Sequence, residues 1–175
     1  MTNQPGPKRL TVKNWLQVDP TVTGFVNFNP ATGSAAPIEP GEWVELFLEP
    51  QLHGGVPENV RELFEIARSA LLYACFFYPL YAHAQDGLYR VGEAALGTRY
   101  EMAGGPKTRR MGNKREWLVK RGILSGEVAE WWEAATELRH LGSHRVQAMN
   151  LPPGVVANNL MRLVERVNDL FDAPT

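Results

Sequence analysis

Prolines divide this chain more firmly than any other feature. Eight of its 13 prolines lie at or before Pro57, in a chain of 175 residues. Proline lacks the backbone N–H that helices and inner strands need, so residues 1–56 are predicted to form an extended arm rather than regular helix. Within the arm, the alternation in Trp43-Val44-Glu45-Leu46-Phe47-Leu48 predicts one short strand, ended by Pro50. Its apolar residues, with Trp15 and Phe25, are expected to pack back onto the rest of the chain.

Beyond Pro57 the apolar period changes to 3.6. Val60, Leu63, Phe64, Ala67, Leu71 and Leu72 form one stripe, which predicts a helix running into the Tyr78-Pro79 pair. Leu88, Val91, Ala95, Leu96 and Tyr100 predict a second helix, stopped by Gly104-Gly105-Pro106. A short helix is predicted over 114–121, closed by Gly122. Ser125 suits the N-cap of a fourth helix, with Val128, Trp131, Ala135 and Leu138 facing inward. Val156, Leu160, Leu163, Val164, Val167 and Leu170 predict a last one. The expected fold is all-α: a bundle-like domain of four to five helices over residues 57–175, with the proline-rich arm packed on it.

Composition removes several classes. The chain is 44% hydrophobic and 21% charged, which is globular rather than disordered. A net charge of −1 exerts no global attraction for nucleic acid, so any polyanion site must come from local clustering. The strongest cluster is residues 107–121, with seven Lys or Arg and one acid, Glu116. Lys107, Arg109, Arg110, Lys114 and Arg115 are its candidate RNA-binding residues, and Trp117 is expected to anchor the short helix in the core. A single cysteine, Cys75, lies in an apolar run and is expected to be a buried thiol. The first residues do not resemble a signal peptide, and residues 70–82 are too short to span a bilayer. A cytoplasmic protein with no membrane partner is expected.

Three stretches, in order, resemble one family. Residues 88–96 (LYRVGEAAL) look like a second long helix of the HEPN superfamily, and residues 118–125 (LVKRGILS) look like its short connector. Residues 137–144 (ELRHLGSH) match its hallmark, an Arg, four to six residues, then a His on a late helix. The resemblance covers residues 57–171. The family often has Asn directly after the arginine; this chain has His140, which adds a titratable group.

The resemblance implies RNA cleavage without a metal, of the toxin or defence type. In that chemistry His144 would move the proton of the 2′-hydroxyl, and Arg139 would offer a planar fork to the phosphoryl oxygens. His140 and Ser143 would stand at the rim, and Glu93 would support Arg139. No cofactor is expected. His140 and His144 are four apart, as zinc ligands can be, but only His53, His83, Cys75 or scattered acids could add a third ligand, so no metal is expected. Five helical positions turn the chain by about 140°, so Arg139 and His144 diverge and a homodimer is expected to complete the site. RNA, and an antitoxin or nucleotidyltransferase-type protein, are the other implied partners, with no DNA specificity. The competing reading is non-catalytic: an HEPN-like domain binding RNA, a nucleotide or a protein. There Arg139 pairs with Glu93 or Glu65 and the histidine merely suits a helix C-terminus.

Overall fold

The computed structural model of the chain describes residues 8–29, 31, 33–143 and 152–172, and of Phe28, Asn29 and residues 135–143 the backbone alone. It is an all-α, bundle-like domain. Six helices follow one another among these residues: α1 (Pro40–Leu48), α2 (Glu58–Tyr73), α3 (Leu80–Met102), α4 (Met111–Lys120), α5 (Gly126–Ser143) and α6 (Pro153–Phe171). A small antiparallel hairpin, β1 (Val26–Asn29) and β2 (Ser34–Pro37), precedes them. Helix α3 is the axis, with α2, α4, α5 and α6 all packed against it. No helix among the described residues is long and apolar enough to cross a membrane.

The strand expected at residues 43–48 is a helix instead. Pro40 occupies the first turn, where its missing N–H is no loss. The Glu39 N–H donates to Glu42 Oε2 at 2.9 Å, and the Glu39 side chain accepts from the Glu42 backbone, so a reciprocal box starts the helix. Trp43 and Phe47, four apart, then lie on one face and are wholly buried. The hairpin strands lie outside this segment, and β2 is exposed throughout. Val22, Ile38, Trp43, Phe47 and Val56 belong to the hydrophobic core, so the proline-rich third contributes to the core as well as covering it. Phe25 packs on Tyr78, with ring centroids 5.6 Å apart, but Trp15 stays 57% exposed.

Helix α2 stops at Tyr73, short of the Tyr78-Pro79 pair, and Pro79 is the N-cap of α3. A residue from the arm secures the break between them. Buried Asp19 accepts hydrogen bonds from the backbone N–H of Tyr78 at 3.0 Å and of Thr21 at 2.9 Å, and its own N–H donates to the Cys75 carbonyl at 2.8 Å. Two of these bonds pair backbone groups of the break itself, which neither helix includes. Cys75 is buried as expected, and burial, then the nearby Asp19 charge, raises its thiol pKa. That keeps it a thiol rather than a nucleophile. Gly122, at φ 70°, closes α4 in the left-handed conformation that favours glycine.

The α6 stripe is buried at every expected position, as are Val60, Phe64, Ala67 and Leu71 of α2, while Leu63 is partly exposed. On α5 the Ser125 hydroxyl accepts from the Val128 N–H at 3.2 Å, which is the expected cap. The inward line is turned by one residue: Ala129 and Trp132 are buried, while Val128 and Trp131 are half-buried. Gly92 of α3 explains the shift. A Cβ built there would fall 2.5 Å from Trp132 Cζ3, so the missing side chain is the notch that takes the indole. Ala135 and Leu138 are among the residues described by backbone alone.

Candidate functional site

Where α3, α5 and α6 meet, the core does not close, and a cleft of about 210 Å³ remains. Leu88 and Leu96 of α3 and Val156 and Leu163 of α6 give it an apolar base. Trp131 and Trp132 form its α5 wall, their rings edge to face with centroids 4.9 Å apart. Polar groups converge from the other two helices: Gln85, Tyr89 and Glu93 from α3, Asn159 and Arg162 from α6. An apolar pocket with a few placed polar groups is the usual form of a small-ligand site.

The chemistry of these groups is mixed. Burial, and after it the charge of Asp86, raises the Tyr89 phenol pKa, so it stays a hydrogen-bond donor beside a flat ring face. Arg162 is exposed and makes no ion pair among the described residues, which leaves its planar fork available to an anion. Glu93 adds one carboxylate to the α3 wall.

Among the described residues, Glu93 is the expected catalytic-site residue that lines this cleft. Arg139, His140 and Ser143 lie on the last turns of the α5 backbone, and their side chains are outside the described residues. His144 is wholly outside them, so the expected meeting of Arg139 and His144 falls there too. Glu65, the other candidate partner for Arg139, reaches Arg68 at 2.6 Å.

The basic segment divides in two. Lys107, Arg109 and Arg110 are exposed ahead of α4. Lys114 instead reaches Glu101 at 3.4 Å and lies over the Tyr100 ring, and Arg115 reaches Glu133 at 2.7 Å. Both have side chains only 14% exposed, so they tie α4 to α3 and α5. Trp117 sits edge-on to Tyr100 at 5.1 Å, the anchoring role expected of it. Among the described residues, no group of three His, Cys, Asp or Glu could hold a metal ion. His53 instead faces Asp172 at 3.1 Å and hydrogen-bonds the Asn168 carbonyl at 3.1 Å, at the far end of α6.

Gln85, Tyr89, Asn159 and Arg162 were not legible as site residues. On helices with an apolar stripe, polar residues at the stripe's edge look the same whether they meet solvent or a cleft. The usable signal was Gly92 in the middle of α3 together with two adjacent tryptophans on α5, one more ring than a buried line needs. The chain matches no family model, no curated protein and no solved structure.

Proposed function

We propose that this chain is an HEPN-like helical domain that holds a single nucleotide, free or within an RNA strand, in the cleft between α3, α5 and α6. The lining of that cleft supports the reading. Trp131 and Tyr89 offer flat faces to a base, Gln85 and Asn159 can hydrogen-bond its edge, and Arg162 offers a fork to phosphate. A volume of about 210 Å³ suits one ring system rather than a duplex. Adenosine and uridine monophosphate, and a short single-stranded RNA, should each quench tryptophan fluorescence in a saturable way. Arg162→Ala should weaken binding by about tenfold or more, the usual loss for a charged hydrogen bond. No saturable change with any of the three, or equal affinity in the variant, rejects the reading.

A second reading, metal-independent RNA cleavage, is favoured by one observation. Helix α5 supplies the cleft wall through Trp131, Trp132 and Ala134, and the same helix continues through Arg139 to Ser143. At about 1.5 Å per residue, Arg139 stands about 7.5 Å further along the axis than Ala134, roughly one nucleotide's length away. In this reading a nucleotide in the cleft places the next phosphate near the motif, and the motif helix of a second copy completes the site. The toxin or defence setting, and an antitoxin or nucleotidyltransferase-type partner, belong to the same reading. Purified protein should then cut mixed RNA in EDTA and leave 2′,3′-cyclic phosphate ends. His144→Ala should slow cutting by about 10²–10⁴, the usual cost of losing a proton-transfer group. RNA left intact by the dimer, or cut equally by the variant, leaves binding as the function.

A further inference from the structure

The end of the bundle where α2 passes into α3 is covered by residues 8–19 of the arm. Lys8 Nζ donates to the Phe76 carbonyl at 2.9 Å, and Asp19 binds the backbone of Cys75 and Tyr78. Between these two anchors the chain makes a tight turn. The N–H groups of Asn14 and Trp15 both donate to the Thr11 carbonyl, at 3.2 and 3.1 Å. Asn14 closes the turn with its side chain, accepting from the Thr11 N–H at 2.7 Å and donating to the Arg9 carbonyl at 3.0 Å. A turn held this way displays its side chains in fixed directions.

What it displays is apolar. Val12 is 92% exposed, and Leu10, Trp15 and Leu16 are each more than half exposed. Tyr73, the last residue of α2 at the same end, is exposed as well. Scattered surface hydrophobics need no explanation, but four in seven residues on a capped turn do.

The sequence stretches that meet at this end carry charge of one sign. Residues 8–18 and 73–85 contain no Asp or Glu, and Asp19 beside them is buried. Arg9 and Lys13 flank the apolar tip and have no carboxylate partner among the described residues. A tip on which Val12 stands almost clear of the protein has no walls to grip a peptide. Such a tip is suited to enter a soft apolar medium whose surface is negative.

We propose that this turn docks the protein on an anionic bilayer surface, with Val12, Trp15 and Leu16 entering the acyl boundary and Arg9 and Lys13 meeting lipid phosphates. The expectation of no membrane partner rests on the lack of a spanning segment, and docking of this kind needs none. It is separate from the nucleotide cleft, whose walls are α3, α5 and α6.

The test is co-sedimentation of the full chain with vesicles of phosphatidylglycerol and phosphatidylcholine, against phosphatidylcholine alone. Binding to the anionic vesicles should be at least about tenfold stronger, since each basic residue near such a surface adds about fivefold. Val12→Glu with Trp15→Ser should reduce it by about tenfold or more. Arg9→Glu with Lys13→Glu should abolish the preference for anionic lipid. All four residues are exposed, so the thermal melt by circular dichroism should not move. Absence of binding to either vesicle, or binding undiminished in the Val12/Trp15 variant, overturns the proposal. So does self-association of the wild type that the same variant dissolves, because the tip would then be covered by a second copy.

Discussion

Trp43→Ala should lower the free energy of unfolding by about 3–5 kcal/mol, a large part of the roughly 5–15 kcal/mol available to a domain. Trp43 has the largest fully buried side chain among the described residues, and it joins three elements. Its ring sits 5.4 Å from Phe47 on its own helix and 5.8 Å from Tyr81 on α3, while Nε1 donates to the Leu71 carbonyl of α2 at 2.9 Å. Removing the indole leaves a cavity at the junction of α1, α2 and α3, which are too well packed to collapse into it. Trp43→Phe separates the contributions, since it keeps a ring and loses the hydrogen bond; it should cost clearly less. Urea unfolding followed by circular dichroism measures both. An unchanged midpoint for Trp43→Ala would mean that α1 lies on the core without supporting it.

Gly92→Ala and Gly97→Ala, five residues apart on α3, should move stability in opposite directions. Alanine in place of glycine inside a helix normally stabilises by about 1 kcal/mol. At Gly97 the nearest atom to an added Cβ is Lys114 Nζ at 3.5 Å, an ordinary contact, so the gain should appear. At Gly92 the new Cβ would meet Trp132 Cζ3 at 2.5 Å, with two more ring atoms at 3.4 Å. Trp132 is 3% exposed, and its ring, rather than a flexible side-chain end, is what the new Cβ would meet. Overpacking of this kind costs about 1–3 kcal/mol and outweighs the helical gain. Because Trp132 also walls the cleft, Gly92→Ala should alter tryptophan emission and weaken the proposed nucleotide binding, and Gly97→Ala should do neither. Stabilisation by both substitutions would show that the indole does not occupy the notch.

Long amphipathic helices were legible because burial on one side leaves a periodic trace. Every apolar residue assigned inward on α3 and α6 is buried. Helix α1 was not legible, because Trp43 to Leu48 satisfies a period of two as well as one of 3.6 over so few residues. Its deciding signals lay just outside that window, in Pro40 and the Glu39/Glu42 pair. The basic segment shows a different limit. Sequence marks seven cations but not their partners, and Glu101 and Glu133, which take Lys114 and Arg115, lie 13 and 18 positions away. The cleft is a junction of three helices, and nothing local encodes which polar residues a junction will gather. Arg139 and His144 remain expectations drawn from their pattern.

Asp19 also sets an order in time. It fastens to the Tyr78 N–H 59 residues further along the chain. During translation at about 5–20 residues per second, the two are made roughly 3–12 s apart. Until Tyr78 has been made and has left the ribosome, this part of the arm has no partner at the α2–α3 turn. The α2–α3 pair is local in sequence and can form as soon as it is made, but its turn is finished only when an earlier part of the chain comes back to it. A segment made earlier is thus among the last to dock, and the break between α2 and α3 is completed by a contact that closes long after its first half is made.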